Sequence, residues 1–134
     1  MRRNYYVREI SASEVEAYAT EMRREMLTLA ETDHLFGCVD PKTKEILGWG
    51  GVKVYPHKYV FKTAFVPAQH RRRGIYRHLL EYRLANFGDL PIEAYCTEKS
   101  LPELERRGFR VARSFKNGCH LVKWRPSVPG MATA

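Results

Sequence analysis

Two kinds of hydrophobic periodicity alternate along the sequence, and their order restricts the fold more than any other feature. Alternating apolar and polar residues, rich in β-branched and aromatic types, predict strands, whereas apolar residues at helical spacing predict helices. The predicted strands span residues 4–10, 34–40, 46–55, 59–66, 91–97, 109–115 and 119–124. The predicted helices span residues 11–31, 74–87 and 100–108. This order, β-α-β-β-β-α-β-α-β-β, predicts an α/β (α+β) fold with one mixed sheet of about seven strands and helices on both faces.

The first predicted helix has an apolar stripe and two overlapping N-terminal start signals. The stripe contains Val15, Ala19, Met22, Met26 and Leu29. The alternative starts are two capping boxes, Ser11 with Glu14 and Ser13 with Glu16. In such a box two side chains satisfy backbone N–H groups that the helix leaves unpaired. We interpret the stripe, methionines included, as core rather than as a binding surface.

Short-range signals mark several other boundaries. Ser100 and Glu103 form a third capping box at the start of the last predicted helix. Residues 116–118, Lys-Asn-Gly, predict a tight turn between the last two strands. The middle of the third predicted strand holds three glycines, Gly48, Gly50 and Gly51. Glycine weakens a strand, so this cluster predicts a bend, or a group that approaches the backbone closely.

The length predicts a single domain, residues 1–124, followed by a loose tail without periodicity, residues 125–134. Cys38, Cys96 and Cys119 are an odd number of cysteines and form no Cys-x-x-Cys pair. We therefore expect them to be reduced and the protein to be intracellular. The sequence contains no apolar run of membrane-spanning length, and its N-terminus lacks the apolar core of a signal peptide. The expected location is the cytoplasm.

The formal net charge is +8, and all of the excess lies in the second part of the chain. Residues 1–52 carry seven basic and nine acidic side chains, whereas residues 53–134 carry sixteen and six. This asymmetry favours a polyanionic partner, either a nucleic acid, a membrane surface or a small molecule that bears phosphate. A solvated basic face is the alternative interpretation.

The junction over residues 65–80 is the part of the sequence most informative about function. A strand runs into an arginine-rich loop, Arg71 to Arg73, and Gly74 opens a helix directly after it. A helix start leaves backbone N–H groups unpaired and carries partial positive charge, so it can bind phosphate. Gly74 permits close approach of an anion to the main chain. The junction therefore predicts an anion site.

Neither the Walker A pattern nor the Rossmann glycine pattern is present at this junction. Instead, Arg71-x-x-Gly74-x-Tyr76, preceded by Val66 and Pro67, resembles the acyl-CoA-binding motif of the GNAT (GCN5-related) N-acetyltransferases. The pattern of that family is Q/R-x-x-G-x-G/A, so Tyr76 replaces its second small residue. The order of strands and helices is also similar to that of the family. The resemblance covers about residues 4 to 124.

The resemblance implies a fold, an acyl donor and the position of that donor on the sheet. It implies a mostly antiparallel sheet and an acyl-CoA donor, most simply acetyl-CoA, with no metal ion. The pyrophosphate would rest on the backbone around Gly74, and the pantetheine arm would pair with the fourth strand in the gap before the fifth. The thioester would then lie near the end of the fifth strand, around Tyr95 to Thr97. The cofactor-binding residues implied in this way are Phe65, Val66, Arg71, Arg72, Arg73, Gly74, Ile75 and Tyr76.

The catalytic groups are less evident in the sequence. The family's oxyanion donor is a backbone N–H of the fourth strand, which needs no particular side chain. Its tyrosine acid, four residues before the Gly108-Phe109 pair, corresponds here to Leu104, so that acid is absent. The candidate catalytic residues near the expected thioester are Cys96 and Ser100, although burial explains Cys96, and helix capping explains Ser100, better than catalysis does.

No carboxylate lies on the fourth predicted strand, where the family often has a glutamate base. His34, His57 or a water molecule held by backbone groups would deprotonate the amine instead. The acceptor surface expected around the fourth and fifth strands carries Tyr55, His57, Tyr59 and Tyr95.

Three hypotheses follow. The first is an acyl-CoA-dependent N-acyltransferase that acts on a primary amine of a small molecule or protein. The second is a non-catalytic module of the same fold that binds CoA or a protein. The third is a basic nucleic-acid-binding domain, which the core-like spacing of most aromatic residues disfavours. Exposed edge strands near the C-terminus would permit a homodimer.

Overall fold

A computed structural model describes residues 4–25, 27 and 32–126, apart from the side chain of Thr63. The strands are β1 (Tyr6–Glu9), β2 (His34–Val39), β3 (Ile46–Val54), β4 (Tyr59–Phe65), β5 (Ile92–Cys96), β6 (Arg110–Ser114) and β7 (His120–Trp124). The α-helices are α1 (Ala19–Arg24), α2 (Ile75–Asn86) and α3 (Leu101–Arg106). Two 3-10 segments, Ala12–Tyr18 and Ala68–His70, precede α1 and α2. Each predicted strand is therefore confirmed, with slightly shorter bounds.

The seven strands form one sheet in the order β1-β2-β3-β4-β5-β7-β6. Every neighbouring pair is antiparallel except β4 and β5, which are parallel. A parallel pair needs a crossover connection, and α2 supplies it here. The expected mixed, mostly antiparallel sheet is confirmed.

Helices cover both faces of this sheet. Adjacent residues of a strand point to opposite faces, and in β2 they belong to different buried clusters. Leu35 packs with Val15, Met22 and Trp49 beneath the first helical segment. Phe36 belongs to the larger cluster, to which α2 and α3 contribute Ile75, Leu79, Leu80 and Leu104. The domain thus has two cores, one on each side of the sheet.

The first helical segment differs from the continuous α-helix expected over residues 11–31. It begins with seven residues of 3-10 helix, because the tighter winding puts residues three apart on one edge. Val15 and Tyr18 share that edge and face Trp49. Ser11 is the start actually used, since its N–H donates to Glu14 Oε2 at 2.8 Å. Of the predicted stripe, Val15 and Met22 are buried, while Met26 and Leu29 lie outside the described residues.

The glycines of β3 serve both purposes that the sequence suggested. The register between β2 and β3 shifts beside Gly48, where β3 contributes one extra residue and so forms a bulge. A Cβ on Gly50 would lie 2.9 Å from Cζ of Arg83, a residue of α2. A Cβ on Gly48 would lie 2.7 Å from Cγ2 of Ile75. These glycines therefore let α2 lie close against the sheet.

Two further observations bear on the other expectations. Cys38, Cys96 and Cys119 are all free, as expected. Among the described residues, no helix combines the length and the apolar character needed to cross a bilayer.

The Gly48–Ile75 contact predicts a non-additive pair of substitutions. Gly48→Ala should destabilise the fold by about 1–3 kcal/mol, because its methyl group overlaps the Ile75 side chain. Ile75→Ala alone should cost about 2–5 kcal/mol through the cavity it leaves. In the double variant the added methyl enters that cavity, so the loss measured by denaturant unfolding should be smaller than the sum. An additive result would show that Gly48 does not set the distance between α2 and the sheet.

Candidate functional site

The parallel pair β4 and β5 separates part of the way along its length. Their pairing runs from Tyr59 opposite Ile92 to Phe61 opposite Ala94. Beyond Phe61 and Ala94, β4 continues to Phe65 and β5 continues to Cys96 without pairing to each other. Backbone groups that face this gap have no partner from the neighbouring strand, so the gap can accept an extended ligand.

A cavity of about 580 Å³ opens at this gap, between α2 and α3. Val66 and residues 71, 72 and 74 line one part of it, where β4 leads into α2. Phe61 and Ala94 line it at the point where the strand pairing ends. The cavity therefore connects the predicted anion site to the predicted thioester position around Tyr95 to Thr97.

The loop before α2 has the backbone geometry of an anion site. Gly74 is the N-cap of α2, with φ of 77°, and a Cβ there would meet no atom within 4 Å. Arg72 also has a positive φ, 66°. A non-glycine residue in this region is strained by about 1–2 kcal/mol. Strain of this kind is common where a loop is shaped for a ligand. The first N–H groups of α2, on Ile75, Tyr76 and Arg77, have no helical acceptor.

The three arginines of the loop have different surroundings. Arg71 pairs with Glu25 and donates from Nε to the Val66 carbonyl oxygen at 2.8 Å, so its charge braces the loop. Arg72 and Arg73 are exposed beside the helix start. The predicted cofactor-binding residues thus lie together, but Phe65 directs its side chain into the opposite core.

Tyr76, Cys96 and Ser100 converge on one side of the cavity, and all three line it. The nearby Ser100 hydroxyl acts to lower the pKa of both the Tyr76 phenol and the Cys96 thiol. Burial raises the pKa of Tyr76, an effect that the nearby positive charge of Arg83 partly offsets. Burial also raises the pKa of Cys96, so its thiol is neutral at neutral pH.

The interpretation of Ser100 as a helix cap is wrong. Its side chain forms no cap hydrogen bond with α3, and its backbone is already helical, with φ of −98° and ψ of −11°. Glu103, the other half of the predicted capping box, instead pairs with Arg107 at 3.2 Å and Arg77 at 3.6 Å. The Ser100 hydroxyl is therefore turned to the cavity rather than to the helix.

Arg83 is a cavity residue that the sequence analysis did not identify. It is 1% exposed and lines the cavity from α2. The sequence does contain a signal for it: Ile75, Leu79 and Arg83 follow one another at intervals of four residues, so Arg83 continues an apolar stripe. A charged residue on such a stripe is unusual and indicates a partner or a ligand within the core.

The remaining candidates differ in whether they line the cavity. Leu104, in place of the family's tyrosine, is buried and lines the cavity. His34 pairs with Glu9 at 3.0 Å and does not line the cavity, and neither does His57. Tyr95 lines it and is 61% exposed. In the described part of the chain, no cluster of three or more histidine, cysteine, aspartate or glutamate side chains could hold a metal ion.

Comparison with solved structures identifies the fold. The ribosomal-protein-S18-alanine N-acetyltransferase of Escherichia coli is similar with a TM-score of 0.72 and 13% identity, over 98% of this chain and 99% of that one. NAA60 of Arabidopsis thaliana, solved with acetyl-CoA, gives 0.67 and 15%, over 91% and 99%. A GNAT-family acetyltransferase of Staphylococcus aureus gives 0.63 and 12%, over 92% and 100%.

The chain therefore has the fold of the GNAT acetyltransferases, as its motif and element order led us to expect. At this level of identity the likeness shows the fold alone. The sequence matches no protein-family model, and no curated protein is significantly similar to it.

The helix start at Gly74 predicts a site-specific loss of anion binding. Gly74→Glu should abolish CoA binding, because a carboxylate would occupy the open space where the pyrophosphate is expected. Gly118→Glu is the matched control: Gly118 also has a positive φ, 86°, with no atom within 4 Å of a built Cβ, but lies in the β6–β7 turn.

Titration calorimetry measures CoA affinity, and far-UV circular dichroism checks that both variants fold. Gly118→Glu should bind CoA as the unmodified protein does. Retained affinity in Gly74→Glu, or equal loss in both variants, would place the pyrophosphate elsewhere.

Proposed function

We propose that the protein is an acyl-CoA-dependent N-acyltransferase, which transfers an acyl group, most simply acetyl, from the thioester to a primary amine by direct attack. The observation that carries this proposal is the alignment of a strained, glycine-capped helix start with the gap between β4 and β5. One element offers N–H groups to a pyrophosphate, and the other offers an unpaired strand edge to an extended arm.

The donor site would extend from the helix start along β4. The backbone N–H groups of residues 72–76 would bind the pyrophosphate, and Arg72 and Arg73 would add charge. The backbone at Phe65 and Val66 would bind the pantetheine arm. An acyl-CoA, when bound, supplies an acyl group activated as a thioester.

A bulge in β4 supports the proposed stabilisation of negative charge on the thioester oxygen. Trp49 pairs with Phe65 and Gly51 pairs with Lys62, so β4 contributes one extra residue between these two pairs. Bulges take backbone groups out of the ladder and redirect them. A β4 N–H released in this way would donate to the oxyanion, at the end of the strand where the thioester is expected.

Tyr76 is the proposed proton donor to the departing thiolate. Leu104 has no acidic proton to donate, whereas the Tyr76 phenol lies on the same cavity wall as Cys96, at the end of β5. As the carbon–sulfur bond breaks, the phenol proton would pass to sulfur. Arg83 and the Ser100 hydroxyl would stabilise the phenolate that remains.

Ser100 and Cys96 keep supporting roles in this proposal. Ser100 would orient the Tyr76 phenol by forming a hydrogen bond with it, and Cys96 would complete the cavity wall beside them. Because the Cys96 thiol is neutral, we do not propose a covalent acyl-cysteine step. A water molecule held by backbone groups would deprotonate the amine, since neither His34 nor His57 lines the cavity.

The acceptor, a primary amine of a small molecule or a protein, would approach beside the exposed Tyr95. The free cysteines fit the proposed cytoplasmic location. A homodimer through the edge strand β6, which is exposed along its whole length, remains a prediction.

Calorimetry of acetyl-CoA binding, combined with thiol release over a panel of primary amines, tests this function. We expect saturable binding and release of free CoA with at least one class of amine. Binding without turnover on any amine would favour a non-catalytic CoA-binding module. No binding at millimolar ligand would contradict both, and tight, salt-dependent binding of nucleic acid would then support the third hypothesis.

Tyr76→Phe tests the proton donor. It retains the ring but removes the phenol, so kcat should fall by about 10²- to 10⁴-fold, the usual contribution of a general acid. The dissociation constant of acetyl-CoA should change little. Steady-state kinetics and calorimetry measure these two quantities separately.

Ser100→Ala is the companion variant. It removes the hydroxyl proposed to orient the phenol but leaves the proton donor, so its loss in kcat should be smaller than that of Tyr76→Phe. An unchanged kcat in Tyr76→Phe would show that another group or solvent protonates the thiolate.

A further inference from the structure

Arg83 is a cation inside the core with no anionic partner in the described part of the chain. Its Nε donates to the Leu79 carbonyl oxygen at 3.3 Å, and its Nη1 donates to that of Gly51 at 3.2 Å. Its Cζ lies 4.7 Å from the ring centre of Phe61. A guanidinium has five N–H donors, so these contacts do not exhaust its capacity.

The surrounding residues make room for this guanidinium. Gly50 lacks the Cβ that would lie 2.9 Å from Cζ. Phe61 supplies an aromatic face, which attracts a cation more weakly than a carboxylate does. The site therefore accommodates the guanidinium, but none of these neighbouring groups neutralises its charge.

The electrostatic cost of this arrangement is considerable. Burial lowers the pKa of Arg83 to about 10, with only the nearby Tyr76 phenol acting in the opposite direction. The guanidinium therefore remains charged at neutral pH, although a buried charge is normally paired. An anion that entered the cavity would relieve this cost.

The position of Arg83 indicates which part of a bound acyl donor would carry that anion. Phe61, over which it stacks, is the last β4 residue paired to β5. Arg83 and Phe61 also line the same cavity as Gly74. A donor bound with its pyrophosphate at Gly74 and its arm along β4 would direct its acyl group towards the closed end of the gap, beside Arg83.

We propose that Arg83 binds a carboxylate at the far end of the acyl group, and that the preferred donor is the CoA thioester of a dicarboxylic acid. This inference rests on the proposed function, and it names the acyl class that the same site selects. Acetyl-CoA would bind there too, but would leave Arg83 without an anion. A guanidinium can form a charge-assisted, bidentate contact with a carboxylate.

Paired thioether analogues test this selection without hydrolysis or transfer. S-(3-carboxypropyl)-CoA and S-(3-carbamoylpropyl)-CoA have the same shape and differ by one charge. Homologues with one and two methylene groups cover shorter acids, and CoA itself is the reference ligand. Calorimetry should give a preference of about ten-fold or more for the carboxylate at one chain length, as expected for a charged hydrogen bond.

Two variants assign that preference to Arg83. Arg83→Met removes the charge with a side chain of similar length, and the carboxylate-to-amide ratio should fall to near one. Gly50→Ala keeps the charge but displaces the guanidinium, so it should also reduce the ratio, and it keeps the test valid if Arg83→Met fails to fold. Circular dichroism and thermal unfolding check both variants.

The outcomes separate this inference from the function on which it rests. If CoA binds but every carboxylate is bound no better than its amide, the donor site stands and the role of Arg83 is wrong. A preference that survives in both folded variants would also contradict that role. If neither CoA nor any thioether binds, the proposed function fails, and this inference fails with it.

Discussion

The early end of the β4–β5 pairing is the constraint on which the rest of the site depends. The only parallel pair among the described strands stops at Phe61 and Ala94, although both strands continue. A parallel pair requires a crossover, and that crossover brings the start of α2 to the open end of the gap. The ligand gap and the anion site are thus consequences of one topological feature.

The loop that leads into α2 is backbone-strained, and side-chain contacts hold it in place. Arg72 and Gly74 both adopt positive φ, and Arg71 is engaged by Glu25 and by the Val66 carbonyl oxygen. These contacts connect the loop to the end of α1, on the other side of the sheet. Arg71, which the resemblance places in the anion site, thus also fixes the loop that carries the free N–H groups.

Local patterns predicted the parts of the fold that local physics determines. Strand alternation, the Ser11–Glu14 capping box and the 116–118 turn are settled by neighbours in the sequence, and each is present. The 3-10 winding of residues 12–18 was missed because it depends on packing against Trp49 in β3.

The candidate site was predicted in its backbone but not in its side chains. Gly74 and the gap follow from the motif and the order of elements. Ser100 was assigned to a cap because its sequence context favours one, yet its side chain lies near that of Tyr76 and lines the cavity. The apolar stripe of α2 marks Arg83 as unusual, but its contacts with Gly50 and Phe61, both distant in sequence, are visible only in the folded protein. Contacts of this kind carry no short-range signal.

The most direct test of the central claim is a titration of the ¹⁵N-labelled protein with CoA, followed by amide chemical shifts. The account predicts the largest shifts at residues 72–76 and along the unpaired ends of β4 and β5, with little change at Gly118. Shifts confined to the basic residues of β6, Arg110 and Arg113, would show that the phosphates bind to a charged surface and not to the helix start. That result would contradict the account.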